Sequence, residues 1–202
     1  MNPRRIGLFG GSFDPVHRAH VALAQCALKD LQLDELRWVP AGQPWQKQRA
    51  MTAAAHREAM VQLAIADEPR FVLDRCELDR AGPSYTLDTV RALQAATPGA
   101  HWVLVIGQDQ YAGLHTWAGF EELLSRVSLA VALRPGVANA PHPAVQAVPH
   151  AMVALPMMDV SSTDIRSRVS HGLSIDHLVP TDVARYIARH HLYRGLNGPT
   201  GS

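Results

Sequence analysis

Short apolar runs alternate with longer helical stretches along this chain, and that alternation leaves few folds open. Ile6–Phe9, Leu36–Val39, Phe71–Leu73, Trp102–Ile106 and Val127–Leu133 read as buried strands. Pro15–Leu31, a segment capped at Thr52 and reaching Ile65, Thr86–Ala96, Ser162–His171 and Asp182–His191 read as helices. A strand that returns through a helix enters the sheet parallel to its predecessor, and a sheet built this way is covered on both faces. The expected fold class is therefore α/β: a doubly wound, mostly parallel sheet with C-terminal helices. Such sheets bind ligands beyond the carboxyl ends of their strands, so the residues just after each strand carry the functional expectation.

The 202 residues make one domain, expected over 1–194, with residues 195–202 as a flexible tail. Proline-rich Arg134–His150 reads as a mobile surface loop. Hydrophobic residues at 47% and charged ones at 18% exclude a disordered chain. A net charge of +1 argues against a nucleic-acid partner, which calls for a basic excess. No apolar run reaches the roughly 18–20 residues of a membrane span. Met1–Arg5 has paired arginines, but the apolar run behind it stops at Gly10-Gly11, so no export signal is expected. Cys26 and Cys76 form no C-x-x-C pair, which suits a reducing, cytoplasmic setting. Homo-oligomerisation stays open.

The densest chemistry follows the first strand, in Gly10-Gly11-Ser12-Phe13-Asp14-Pro15-Val16-His17-Arg18-Ala19-His20. Two glycines let a ligand approach the backbone closely. Asp14 before Pro15 predicts an N-cap with proline at the first helical position, which puts His17 in the first turn and His20 one turn on, on one face. Val21, Ala24, Leu28 and Leu31 continue that stripe, so the histidines could be the polar end of a buried face. A helix start with unpaired N–H groups and two imidazoles is also a phosphate cradle. A metal site is weaker, because no third ligand is evident. No G-x-G-x-x-G, no P-loop and no G-x-S-x-G elbow occurs, which disfavours dinucleotide-linked hydride transfer, P-loop chemistry and α/β-hydrolase chemistry. Near the end, Ser161 and Asp164 form an S-x-x-D cap, and Arg166 sits where the helix dipole disfavours a cation unless an anion binds there. Ile165 and Val169 are expected to face the core.

The first block resembles the G-G-[ST]-F-D-P-x-H-x-G-H signature of the nucleotidyltransferase superfamily, with Ala19 where glycine is usual. Ser161-Ser162-Thr163-Asp164-Ile165-Arg166 resembles its S-S-T-x-I-R motif, and Ser84-Tyr85-Thr86-Leu87-Asp88-Thr89 resembles S-Y-T-x-D-T. Together with Trp117, Gly107-Gln108-Asp109, Arg134 and the ending Tyr186–Tyr193, these narrow the resemblance to the bacterial nicotinate-nucleotide adenylyltransferases over Ile6–Tyr193. The loop holding Lys47 resembles P-x-x-x-P-P-H-K, but Trp45 and Gln46 replace Pro-His.

The resemblance implies a Rossmann-like fold and adenylyl transfer from ATP to nicotinate mononucleotide. It implies that Gly10, Gly11, Ser12, Phe13, His17, His20, Gly107, Asp109, Ser162, Thr163 and Arg166 bind ATP. Lys47, Ser84, Tyr85, Thr86, Trp117 and Arg134 would bind the mononucleotide. His17, His20, Lys47 and Arg166 would carry catalysis, and Mg²⁺ would arrive with ATP rather than in a protein metal site. Two other readings stay in play: a different acceptor on the same fold, such as nicotinamide mononucleotide, and a non-catalytic nucleotide sensor.

Overall fold

The first strand, β1 (Arg5–Gly11), runs inside a six-stranded sheet and ends on the paired glycines. The computed structural model describes residues 3–44, 51–133 and 142–195. Lys47, Trp45, Gln46 and Arg134 lie outside the described residues. From β1 the chain passes through α1 (Arg18–Asp30), β2 (Glu35–Pro40), the two-residue β3 (Gln43–Pro44), α2 (Ala54–Ile65) and β4 (Phe71–Leu73). It then forms β5 (Pro83–Ser84) and α3 (Thr86–Ala96) and re-enters the sheet as β6 (His101–Gly107). Next come α4 (Gln108–Ala112), a 3-10 turn at Leu114–Thr116, α5 (Phe120–Arg126) and β7 (Ser128–Leu133). Last are α6 (Pro143–Gln146), β8 (His150–Ala154), α7 (Ser162–Ser170) and α8 (Thr181–Arg189).

The spatial order is β4-β2-β1-β6-β7-β8, and every neighbouring pair is parallel. This is the expected doubly wound sheet. The chain works outward from β1 to β4, then restarts on the other side at β6. Between β1 and β6 the crossovers diverge, which opens a crevice beyond the strand ends.

Alternation along the strands sorts side chains into two cores. On β6, Val103 and Val105 face one layer while Trp102, Leu104 and Ile106 face the other. The first layer holds α1, α2, α7 and α8 through residues such as Leu28, Met60, Ile165 and Ile187. The second holds α3 and α5 through Leu87, Leu93 and Leu123. Both faces are covered, as a parallel sheet requires.

Three local expectations are corrected. Asp14 does not cap α1: the helix starts at Arg18, and the Asp14 carboxylate is fully buried, accepting a hydrogen bond from the Tyr193 hydroxyl at 2.8 Å. A long-range partner has taken a side chain whose local sequence spells a cap. Thr52 does not cap α2, since Ala53 holds that position. Segment 134–150 is not a loop throughout. Among its described residues, Pro143–Gln146 form α6 around fully buried Val145, and His150 opens β8. Pro143 stands at the first helical position, where its missing N–H costs no hydrogen bond. Strand β8 buries only Val153, so it leaves little alternation to read.

Candidate active site

The turn after β1 is shaped by a phenylalanine. Phe13 has φ of 46°, in the left-handed region that costs a bulky residue about 1–3 kcal/mol. Burial of its ring offsets that cost: it packs against Phe9 at 5.4 Å, Trp38 at 5.2 Å and His20 at 5.2 Å between centroids. Gly11 is needed for the same ring, since a Cβ there would stand 2.9 Å from it. At Gly10 the nearest atom to such a Cβ is 4.0 Å away.

His17 occupies the N-cap position of α1 with extended backbone, and its N–H donates to Nδ1 of His20 at 3.2 Å. This is the return half of a capping box, with imidazole in place of the usual carboxylate or amide. An accepting Nδ1 leaves the proton of neutral His20 on Nε2, the far side of the ring. The two imidazoles stack with centroids 3.6 Å apart and planes at 19°.

The start of α7 is stitched to this turn. Ser161 caps the helix, its hydroxyl accepting from the Asp164 N–H at 3.1 Å, as the S-x-x-D pattern predicts. Ser162 donates to the Pro15 carbonyl at 3.0 Å. The buried guanidinium of Arg166 donates to the Asp14 carbonyl at 2.8 Å and to the Thr163 hydroxyl at 3.1 Å. Ile165 is buried and Val169 packs against the same core.

A cavity of about 540 Å³ opens beyond β1 and β6, within the usual size range of a small-molecule site. The Gly10–Phe13 turn with His17 and His20 forms one wall, and Gly107 and Asp109 form the wall across the crevice. Ser162 reaches it from α7, while Ser84, Thr86 and Trp117 line the remaining end. Thr163, Arg166 and Tyr85 are not among its lining residues; Tyr85 stands at the N-cap position of α3. Among the described residues, no cluster of three or more His, Cys, Asp or Glu side chains is arranged to hold a metal ion. None of their helices is long and apolar enough to cross a membrane.

Residues 8–168 match the family model described as cytidylyltransferase-like. A relative from Methylibium petroleiphilum is 54% identical over 201 residues, covering 96% of this chain and 95% of its own. One from Bordetella petrii is 47% identical over 198 residues, covering 95% of this chain and 100% of its own. Both bear the name "probable nicotinate-nucleotide adenylyltransferase". The chain belongs to the nicotinate-nucleotide adenylyltransferase family. Two solved structures of the Plasmodium falciparum nicotinic acid mononucleotide adenylyltransferase share the fold. The one complexed with APC has a TM-score of 0.76 at 19% identity, and the one complexed with NaAD has 0.75 at 18%. Each alignment covers 94% of this chain and 97% of the other.

This adenylyltransferase family member builds the Ser84–Trp117 end of its cavity on a group that sequence reading missed. Glu77 is buried, and its carboxylate accepts from the Thr89 hydroxyl at 2.7 Å. The Arg80 guanidinium donates to that same hydroxyl at 3.3 Å. Strands β3 and β5 pair in parallel beside it, and the Gly42 N–H donates to the Ser84 hydroxyl at 3.2 Å. Gly42 has no room for a side chain: a Cβ would sit 2.2 Å from the Glu77 carbonyl oxygen. Burial pushes the Glu77 carboxyl above the usual carboxylate range, against the Thr89 and Ser84 hydroxyls and the charge of Arg80, which favour the ionised form. A carboxyl protonated more readily when folded supports the fold fully below its unfolded pKa, and that support is lost as pH rises through the folded value. Glu77→Gln removes this loss. Its melting temperature relative to wild type is expected to rise as pH is raised from the ordinary carboxylate range toward neutral in calorimetric scans. A constant difference across that range contradicts the assignment.

Proposed function

We propose that the protein transfers the adenylyl group of ATP to nicotinate mononucleotide, forming nicotinate adenine dinucleotide and pyrophosphate, a step in NAD biosynthesis. The observation that carries this reading is the single cavity shared by the β1–α1 turn, the end of β6, the start of α7 and the Ser84–Trp117 segment. One continuous space lets two nucleotides meet, as direct transfer requires.

In this mechanism a phosphate oxygen of the mononucleotide attacks the α-phosphorus of ATP, and the bond from that phosphorus to the β-bridging oxygen breaks. Pyrophosphate leaves with the bonding pair. No covalent enzyme intermediate is needed, so catalysis consists of aligning two anions and offsetting their charge. Gly10, Gly11, Ser12 and Phe13 admit the triphosphate to the backbone. His17 and His20 face the α-phosphate and bridging oxygens, with the Nε2–H of His20 as donor. Asp109 accepts from a ribose hydroxyl beside Gly107. Ser162 lines the cavity where the departing phosphates are held, and Thr163, outside that lining, orients the Arg166 guanidinium through its hydroxyl. Arg166 adds a positive charge behind those phosphates while its guanidinium anchors α7 to the Asp14 carbonyl. Lys47 neutralises the crowded phosphates. Trp117 stacks on the pyridine ring, and Ser84, Tyr85 and Thr86 present hydroxyl and N–H groups to its carboxylate, with Arg134 as a further cation. Mg²⁺ would come with ATP as part of the substrate complex rather than from a protein metal site.

The test is pyrophosphate release from ATP and Mg²⁺ with nicotinate or nicotinamide mononucleotide offered separately. A site built to pair a carboxylate is expected to prefer the acid by at least about tenfold in kcat/KM. Equal use of both refutes the acceptor assignment, and ATP binding without pyrophosphate release from either marks a sensor.

A further inference from the structure

Beneath the β1–α1 turn lies a buried polar network that takes no part in the steps above. Arg57 of α2 is only 1% exposed, and its guanidinium is spent on backbone carbonyls. Nε donates to Thr52 at 3.0 Å, Nη1 to Ser12 at 3.1 Å and to Ala41 at 2.7 Å, and Nη2 to Gly42 at 3.4 Å. It therefore ties the turn to both ends of the segment between Gly42 and Thr52. Asp14, fully buried, accepts from the Tyr193 hydroxyl on Oδ1 at 2.8 Å and from the Thr52 N–H on Oδ2 at 3.4 Å. Burial, with Asp14 alongside, pushes Tyr193 well above the ordinary tyrosine value, so its hydroxyl stays a donor.

The consequence for the turn is geometric. The Ser12–Phe13 peptide is trans, so its C=O and N–H point in opposite directions. A guanidinium that draws the Ser12 carbonyl down toward α2 turns the Phe13 N–H the other way. Asp14, the next residue, is fixed through its side chain by Tyr193 and through its carbonyl by Arg166. A buried guanidinium is costly unless fully hydrogen-bonded, and this one is satisfied only with the turn in this orientation.

We propose that Arg57 and Tyr193 are positioning residues for the polyphosphate: without touching it, they hold the Ser12–Asp14 turn so that the Phe13 N–H faces its oxygens. The inference rests on the reading that ATP binds at this turn. It makes the C-terminal end of the chain part of the site's foundation, through a residue 179 positions from its partner.

The test is calorimetric titration of ATP·Mg²⁺ into wild type, Arg57→Met, Arg57→Lys, Tyr193→Phe and Val61→Ala, at a temperature well below every melting point. Misaligning a hydrogen bond to a charged group is expected to weaken ATP about tenfold or more in Arg57→Met. Arg57→Lys keeps the charge and some carbonyl contacts, so it recovers part of that loss. Tyr193→Phe loses about threefold, as expected for one hydrogen bond acting indirectly. Val61→Ala, a purely apolar lesion in the same helix and core, lowers the melting temperature and leaves ATP affinity unchanged. Wild-type affinity in Arg57→Met or Tyr193→Phe overturns the proposal, as does a loss in Val61→Ala equal to theirs. If Arg57→Met does not fold, the comparison of Tyr193→Phe with Val61→Ala decides. Wild type that binds ATP and releases no pyrophosphate refutes the reaction while leaving this inference standing; wild type that binds no ATP refutes both.

Discussion

Replacing His20 with alanine is expected to lower kcat by roughly 10²–10³, the usual loss when one preorganised donor to a transition state is removed. The structure gives the reason for a loss in turnover rather than in folding alone. Nδ1 of His20 is committed to the His17 N–H at 3.2 Å, so the ring presents Nε2–H in a fixed direction. The His17 ring stacked at 3.6 Å further restricts its rotation. Alanine removes the cap and the donor together. Asparagine separates them, because its carbonyl can accept near the Nδ1 position while nothing reaches as far as Nε2. His20→Asn is therefore expected to recover much of the melting temperature lost by His20→Ala, with turnover still depressed by about the same factor. Steady-state pyrophosphate release and thermal melts on both variants check this. Recovery of turnover by asparagine confines His20 to capping.

The sheet and its site-bearing end were legible because their signals are local and periodic. Val103 and Val105 alternate with Leu104 and Ile106 whatever lies elsewhere in the chain, and Gly10-Gly11 marks the end of β1, where Gly11 makes room for the Phe13 ring. His17 and His20 were legible as a pair, but not by helical spacing: His17 stands at the N-cap rather than in the first turn, and its N–H bonded to Nδ1 of His20 brings the rings together. Asp14 shows where such reasoning stops. Asp before Pro is good cap chemistry, yet the partner that claims this carboxylate is Tyr193, and nothing near Asp14 hints at it. Arg57 left no trace at all, because its partners are carbonyls, which every residue carries. Arg166 lies between these cases. Its conflict with the helix dipole was visible, and the structure gives it the Asp14 carbonyl as an acceptor, a contact that no spacing rule anticipates. Side chains that serve the backbone of distant segments are invisible in one dimension, and here they underlie the turn that the motif announces.

Removing the indole of Trp117 is expected to act on the acceptor alone. The residue follows the 3-10 turn at Leu114–Thr116 and packs, half-buried, against the core that also holds Leu87 and Leu114. It lines the same cavity as Ser84 and Thr86. Its extended backbone, with φ of −73° and ψ of 141°, suits many side chains, so replacement brings no backbone penalty. Stacking of a flat heterocycle on an aromatic side chain is worth about 1–3 kcal/mol by alanine substitution, so Trp117→Ala should raise KM for the mononucleotide about tenfold to a hundredfold. Dissociation of ATP·Mg²⁺, read by calorimetry, should stay within about twofold, since the residues proposed to hold ATP do not include Trp117. Trp117→Phe keeps an aromatic face and should recover most of the affinity. An equal loss for both substrates, or an unchanged KM, removes Trp117 from the acceptor subsite and leaves it a core residue.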